Sequence, residues 1–179
     1  MNPERRSLMI TPVPVIEPEI GRWLWGMEDV RRTMKTRLAE ASQAVLDTRL
    51  EGAASIGSLL YHVAFIEADW LYEEVLCSPW DPDIKALFPV DCREDNDDLS
   101  HVEGESIERH FERLDRVRNA FLSVFREMSL EDWRRPRVLE PYDVTPEWVV
   151  YHLIEHEAHH RGQIFSLHGR LLKSLESEK

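Results

Sequence analysis

Cysteine is scarce in this chain: Cys77 and Cys92 are the only two in 179 residues. Two cysteines make no disulfide framework, and neither belongs to a C-x-x-C pair, so a reduced, cytoplasmic setting is expected. Glycine is also sparse, at seven residues, and together with a sustained helical period this argues against an all-β fold. No run of about 18 apolar residues occurs, so no transmembrane helix is expected. The first twenty residues contain no apolar core long enough for a signal peptide. Positive charge is in deficit, with 22 Lys and Arg against 34 Asp and Glu and a net charge of −12. Such a surface repels phosphate backbones and anionic lipid, which excludes nucleic acid and membranes as expected partners.

What remains is ordinary for a soluble single domain: 42% hydrophobic and 31% charged residues. Residues 1–18 hold Pro3, Pro12, Pro14 and Pro18, which fix φ and remove donors, so an extended arm is expected there. Residues 19–179 are expected to form one domain. A first helix is predicted from Glu19 to about Val45, with Ile20, Trp23, Met27, Val30, Met34, Leu38 and Ala41 on one stripe. A second is predicted from the N-cap Ser55 to about Leu76, with Ile56, Leu59, Val63, Ile66 and Trp70 inward. Residues 78–104 read as an acidic crossing loop or a lid. A third helix is capped by Ser106 and carries Ile107, Phe111, Leu114, Phe121, Phe125 and Met128. After a second irregular stretch, Thr145 and Pro146 open a fourth helix predicted to reach about Lys173. Four long amphipathic helices without a strand signal predict an all-α, four-helix bundle.

The stretch "YHLIEHEAHHRGQI" concentrates four histidines in the last helix. At about 100° per residue its core line reads Val149, Leu153, His156, His160, Ile164, Leu167 and Leu171. Two histidines thus stand where the repeat asks for leucine. Separated by four residues, they lie on one face and can converge on one ion. A buried imidazole is more often a hydrogen-bonded core residue than a ligand. A pair on one core line needs two partners, and a metal satisfies both at once. Glu157 lies about 100° from His156 and points away from that ion. His152 is open to three readings: ligand, support for a ligand, or helix packing. His159 faces a flanking helix, where a structural hydrogen bond is expected, and Gln163 shares the face of His156. His168 is expected to pack or be exposed. A third ligand has to come from another helix. His62, at the margin of the second stripe, is the candidate, with Asp69 and Glu73 on roughly the same side. His110 competes from the third helix, and His101 is expected in the exposed loop.

"HLIEHEAHHRGQI" resembles the final-helix motif of the DinB/YfiT-like metalloprotein superfamily. "SIGSLLYHVAFIEADWL" is similar to that family's second helix, with one histidine about a turn and a half in. The resemblance spans about Glu19 to Leu172. It implies an up-down-down-up bundle whose long crossover joins helices 2 and 3. It implies a divalent ion, usually zinc or nickel, on His62, His156 and His160 with water at open positions, and often a homodimer. It further implies a metal-dependent enzyme of the kind that uses a low-molecular-weight thiol in S-transfer. The proline-rich arm and the acidic loop lie outside the shared pattern.

Three neutral imidazoles leave a dication with open positions, the arrangement of catalytic sites rather than closed structural ones. Such an ion can stabilise a thiolate or activate water, so thiol transferase and hydrolase both stay open. A non-catalytic reading also stands, in which the ion staples a binding module. His152, Gln163, Asp69 and Arg161 are candidates for supporting the ligands or touching substrate. Neither cysteine is expected to act as a nucleophile: Cys77 ends a helix, and the acidic loop around Cys92 raises its pKa.

Overall fold

Capping chemistry sets most of the boundaries seen in the computed structural model, which describes residues 7–96 and 98–177. Residues 1–6 of the expected arm lie outside the described residues. The part from residue 7 to Glu17 is not helical and is tied down by Val13 N–H to Gly21 O and Ile16 N–H to Arg126 O. A Cβ on Gly21 would come 2.4 Å from Val13 O, so only glycine allows that approach. Helix α1 spans Pro18–Leu38. It stops earlier than the expected Val45, because Ser42 accepts from Val45 N–H and starts a separate short helix, α2, Gln43–Asp47. Leu24 takes the buried place expected for Trp23, which is 36% exposed.

Helix α3, Ile56–Asp69, is capped as expected by Ser55, whose Oγ accepts from Ser58 N–H. The expected continuous helix to Leu76 instead widens into a π-helical turn over Trp70–Val75, closed by Leu76 N–H to Leu71 O. The acidic connection holds a one-turn helix α4, Pro82–Lys85, capped by Asp81, and an isolated antiparallel bridge between Arg93 and Leu99. Helix α5, Ile107–Arg126, has the expected Ser106 cap. The next connection was expected to be irregular. It contains helix α6, Leu130–Arg134, and strands β1, Arg137–Val138, and β2, Asp143–Val144, paired antiparallel. Two-residue strands are too short to show a period of two in sequence. Helix α7, Pro146–Ser177, starts on Thr145, whose Oγ1 accepts from Trp148 N–H. It extends beyond the expected Lys173.

The chain is therefore mostly helical. Helix α1 packs on α7, α3 on α5 and α7, and α1 on α5. Between these helices lie two apolar clusters. One gathers Leu24 and Met27 of α1 with Leu71, Phe121, Phe125, Trp133 and Leu153. The other gathers Met34 and Leu38 with Leu60, Val63, Leu114, Ile164 and Leu167. A layer of buried charge separates them. Arg31 lies between Met27 and Met34, Glu67 between Ala64 and Ala68, and Glu157 between Leu153 and Ile164. Arg118 follows Leu114 and Val117 at the changeover on α5.

Arg31, Glu67, Arg118 and Glu157 are each at most 4% exposed. Arg118 donates twice to Glu67, at 2.7 and 2.8 Å, once to Glu157 at 2.9 Å and once to Glu28 at 2.7 Å. Arg31 donates to Glu157 at 2.5 Å, to Glu67 at 2.7 Å and to Leu114 O at 3.0 Å. Burial alone would push the Glu67 carboxyl up, but Arg118 and Arg31 overcome it and hold it below the usual range.

Removing one member strands its partners. Arg118→Met is expected to cost about 3–5 kcal/mol, because Glu67 and Glu157 stay buried with one guanidinium fewer. Asp115→Asn, which breaks the exposed Lys35 pair, should cost less than about 1 kcal/mol. Urea unfolding of both variants checks this, and equal losses would contradict it. The pH dependence carries a sign as well. Burial first, and Arg113 against an opposing Glu105, lowers His110 from 6.5 to about 4. Below pH 6.5 the unfolded chain takes up this proton and the folded chain does not, so stability drops as pH falls towards about 4. Glu67 adds a further loss below the ordinary carboxylate range. A urea midpoint that stays flat from pH 7 to pH 4 would oppose the His110 assignment.

Candidate metal centre

Helix α3 carries His62 in its second turn, one residue before Val63 of the core. Helix α7 carries His156 and His160 between Leu153 and Ile164 on its core line. Because α3 packs on α7, the three rings meet. Nε2 of His156 is 3.2 Å from Nε2 of His62 and 3.1 Å from Nε2 of His160. One nitrogen from each ring lies within 4.8 Å of the others. Imidazoles that share one zinc at 2.0–2.1 Å stand roughly 3.3 Å apart, so the spacing needs only small ring movements. His62 is buried, while His156 and His160 are half-buried.

The hydrogen bonds around the cluster orient its lone pairs. Gln163 Oε1 accepts from His160 Nδ1–H at 2.8 Å, which leaves the Nε2 lone pair facing the other rings. Gln163 Nε2 in turn donates to His159 Nε2 at 3.1 Å. Nδ1 of His62 is buried with no hydrogen-bond partner. Three nitrogens crowd one point, and a single proton between two of them leaves the third unmatched. A cation among them satisfies all three, so the residues present fit a divalent ion. Burial, then the neighbouring His160 and Arg93 charges, lowers His62 to about 4. Burial, then His160 and His62, lowers His156 to about 3. The rings are neutral at pH 7, and neutral imidazole is the ligand form.

A family profile described as the DinB superfamily matches residues 27–164, from within α1 to Ile164 of α7. The chain belongs to the DinB superfamily. Among curated proteins, none matches it. A solved structure titled "Crystal structure of the conserved protein of locus from Enterococcus faecalis" is similar in fold, with a TM-score of 0.65 and 14% identity. That similarity covers 82% of this chain and 92% of the other.

In this DinB chain the cluster forms the floor of a cleft of about 750 Å³. Leu59, Leu99 and Leu167 supply apolar wall, and Arg93, Gln163 and Ser166 supply polar groups. Arg93 and Leu99 come from the acidic connection, folded back on itself by Glu94 N–H to Asp98 O and Ser100 N–H to Cys92 O. That segment, and the 52–54 turn on the same cleft, had no sequence signal, because loop placement depends on distant contacts. His156 and His160 are less buried than the apolar residues of their line because the cleft opens there.

None of the remaining candidates lines the cleft. His152 stacks on Trp148 at 5.0 Å between ring centroids and lies 4.5 Å from Trp70, a packing role. Arg161 donates to Thr33 Oγ1 at 2.7 Å. Asp69 lies beside Glu73, and burial first, then Glu73, raises its pKa. His110 is buried against Glu105 and Arg113, and His101 pairs with Glu103. Glu157 faces the charge layer, away from the rings.

A buried ring with an unmatched nitrogen does not serve the metal-free fold. His62→Leu, similar in volume, should leave the urea midpoint of metal-free protein unchanged or raised. A loss above about 2 kcal/mol would instead make the ring a structural element.

Proposed function

We propose that this DinB protein is a divalent-metal-binding metalloenzyme of the thiol-dependent S-transferase type, with zinc or nickel on His62, His156 and His160. The observation that carries the reading is the convergence of three imidazole nitrogens on the floor of an open cleft. A purely structural ion needs no such cleft, since closed four-ligand sites serve that role. When bound, a divalent ion held by three neutral ligands supplies positive charge that favours a thiolate over a thiol at neutral pH.

The chain's own groups do the rest. His62, His156 and His160 present lone pairs without a proton to displace. Gln163 holds His160 in the tautomer that faces the cleft. Leu59, Leu99 and Leu167 exclude water from one side of the substrate, which strengthens every electrostatic contact there. Arg93 adds positive potential beside the rings and favours a substrate carrying an anionic group. Neither cysteine belongs to this machinery: Cys77 is exposed and Cys92, whose thiol is pushed up by burial, is not on the cleft wall. We also read the four long helices as an up-down-down-up bundle, and the protein as a cytoplasmic homodimer. No helix among the described residues is long and apolar enough to cross a membrane.

Elemental analysis of purified protein is expected to give one zinc or nickel per chain. His160→Ala should remain folded by circular dichroism yet be metal-poor, and Gln163→Ala should bind metal about 10–100-fold more weakly. Turnover of an electrophile should require an added low-molecular-weight thiol. Full metal content in His160→Ala would overturn the site, and turnover without thiol would overturn the transferase reading in favour of hydrolysis.

A further inference from the structure

A second cavity lies about 12 Å along α7 from the histidines, taking eight residues from Trp148 to His156 at 1.5 Å each. Its volume is about 390 Å³, and its walls are Trp70, Tyr142, Asp143, Val144, Thr145 and Trp148. It shares no residue with the histidine cleft. Three elements build it: the π-helical turn, the β1–β2 hairpin and the first turn of α7. A π-helical turn inserted in a helix re-aims side chains and is common at binding sites. Here it brings Trp70 to a centroid distance of 5.4 Å from Trp148. Tyr142 and Trp148 are 43% and 45% exposed, so aromatic surface faces solvent in a concave setting.

Carboxyl groups outnumber cations around this cavity, where Arg137 stands across the hairpin from Val144. Tyr142 O–H donates to Glu74 Oε1 at 3.0 Å. Glu74 is 8% exposed, and its other oxygen, Oε2, is buried without a hydrogen-bond partner. Asp69 and Glu73 lie close enough to raise the Glu74 carboxyl further, after burial itself. Asp143 is in the wall. None of these four carboxylates has an ion-pair partner among the described residues. The amino end of α7 would favour an anion, but the Thr145 hydroxyl already accepts from Trp148 N–H there.

We propose that this cavity binds a small organic monocation of the alkylammonium class, held against Trp70, Tyr142 and Trp148 in the field of Glu74, Glu73, Asp69 and Asp143. Indole and phenol rings attract such a cation through their quadrupoles, and unpaired carboxylates add long-range attraction. An uncharged ligand of the same shape receives only the apolar part. This site is independent of the metal reading.

Isothermal titration of the full chain with choline chloride tests it, with 3,3-dimethyl-1-butanol as the uncharged isostere and sodium chloride at matched ionic strength as a blank. Choline is expected to bind at least about tenfold more tightly than the isostere. Trp148→Ala should weaken choline at least about tenfold, and Trp148→Phe, which keeps a ring and the packing, by an intermediate factor. Glu74→Gln, which still accepts from Tyr142, should weaken choline several-fold and leave the isostere unchanged. His160→Ala should bind choline as the parent does. Absence of choline binding overturns the proposal, as does equal affinity for the isostere. Unchanged affinity in both Trp148 variants, or loss of binding in His160→Ala, also overturns it.

Discussion

The structure turns on four charged side chains placed where a helical protein normally puts leucine. Arg31, Glu67, Arg118 and Glu157 come from the four long helices and close a buried lattice of charge-assisted hydrogen bonds. Desolvating two guanidiniums and two carboxylates is costly, and only near-complete pairing offsets it. That condition is geometric. Apolar side chains tolerate sliding by a fraction of a turn, whereas a bidentate Arg–Glu contact does not. The layer therefore specifies the relative height of α1, α3, α5 and α7 more sharply than the apolar clusters on either side.

The histidine site inherits that precision. Glu157 and His156 are neighbours on α7, about 100° apart around its axis. One points into the charge layer and the other towards α3. Likewise Glu67 follows His62 on α3 by five residues. Fixing Glu157 and Glu67 to the same two arginines fixes the heights at which the two helices present their imidazoles. Side chains with neutral rings can then be held 3.1–3.2 Å apart, at a spacing that burial alone would not maintain. Gln163 completes the arrangement from one turn further along α7 by setting which nitrogen of His160 carries its proton.

The long helices were legible because their signals are local. Ser55, Ser106 and Thr145 cap backbone groups three residues away, and the apolar repeat needs only the helical period. The His156–His160 pair was legible for the same reason, as an interruption of a leucine line. The family pattern pointed to His62, which the stripe alone left at its margin. Other features carried no local signal. The π-helical widening at Trp70 depends on what packs around it, and the hairpin has only two residues per strand. Glu157 read only as a residue facing away from the rings, and its two arginine partners, Arg31 and Arg118, were invisible with it as a group.

From the sequence alone came the helical class, the spacing that puts two imidazoles on one helical face, and the negative charge that disfavours phosphate partners. These depend on contacts within a few residues or on totals. Tertiary structure alone decided that the buried charges form one layer, that the acidic connection folds back to wall the histidine cleft, and that Trp70, Tyr142 and Trp148 enclose a second cavity. Each joins residues dozens of positions apart, and such pairings exist only once packing has brought the helices to a common height.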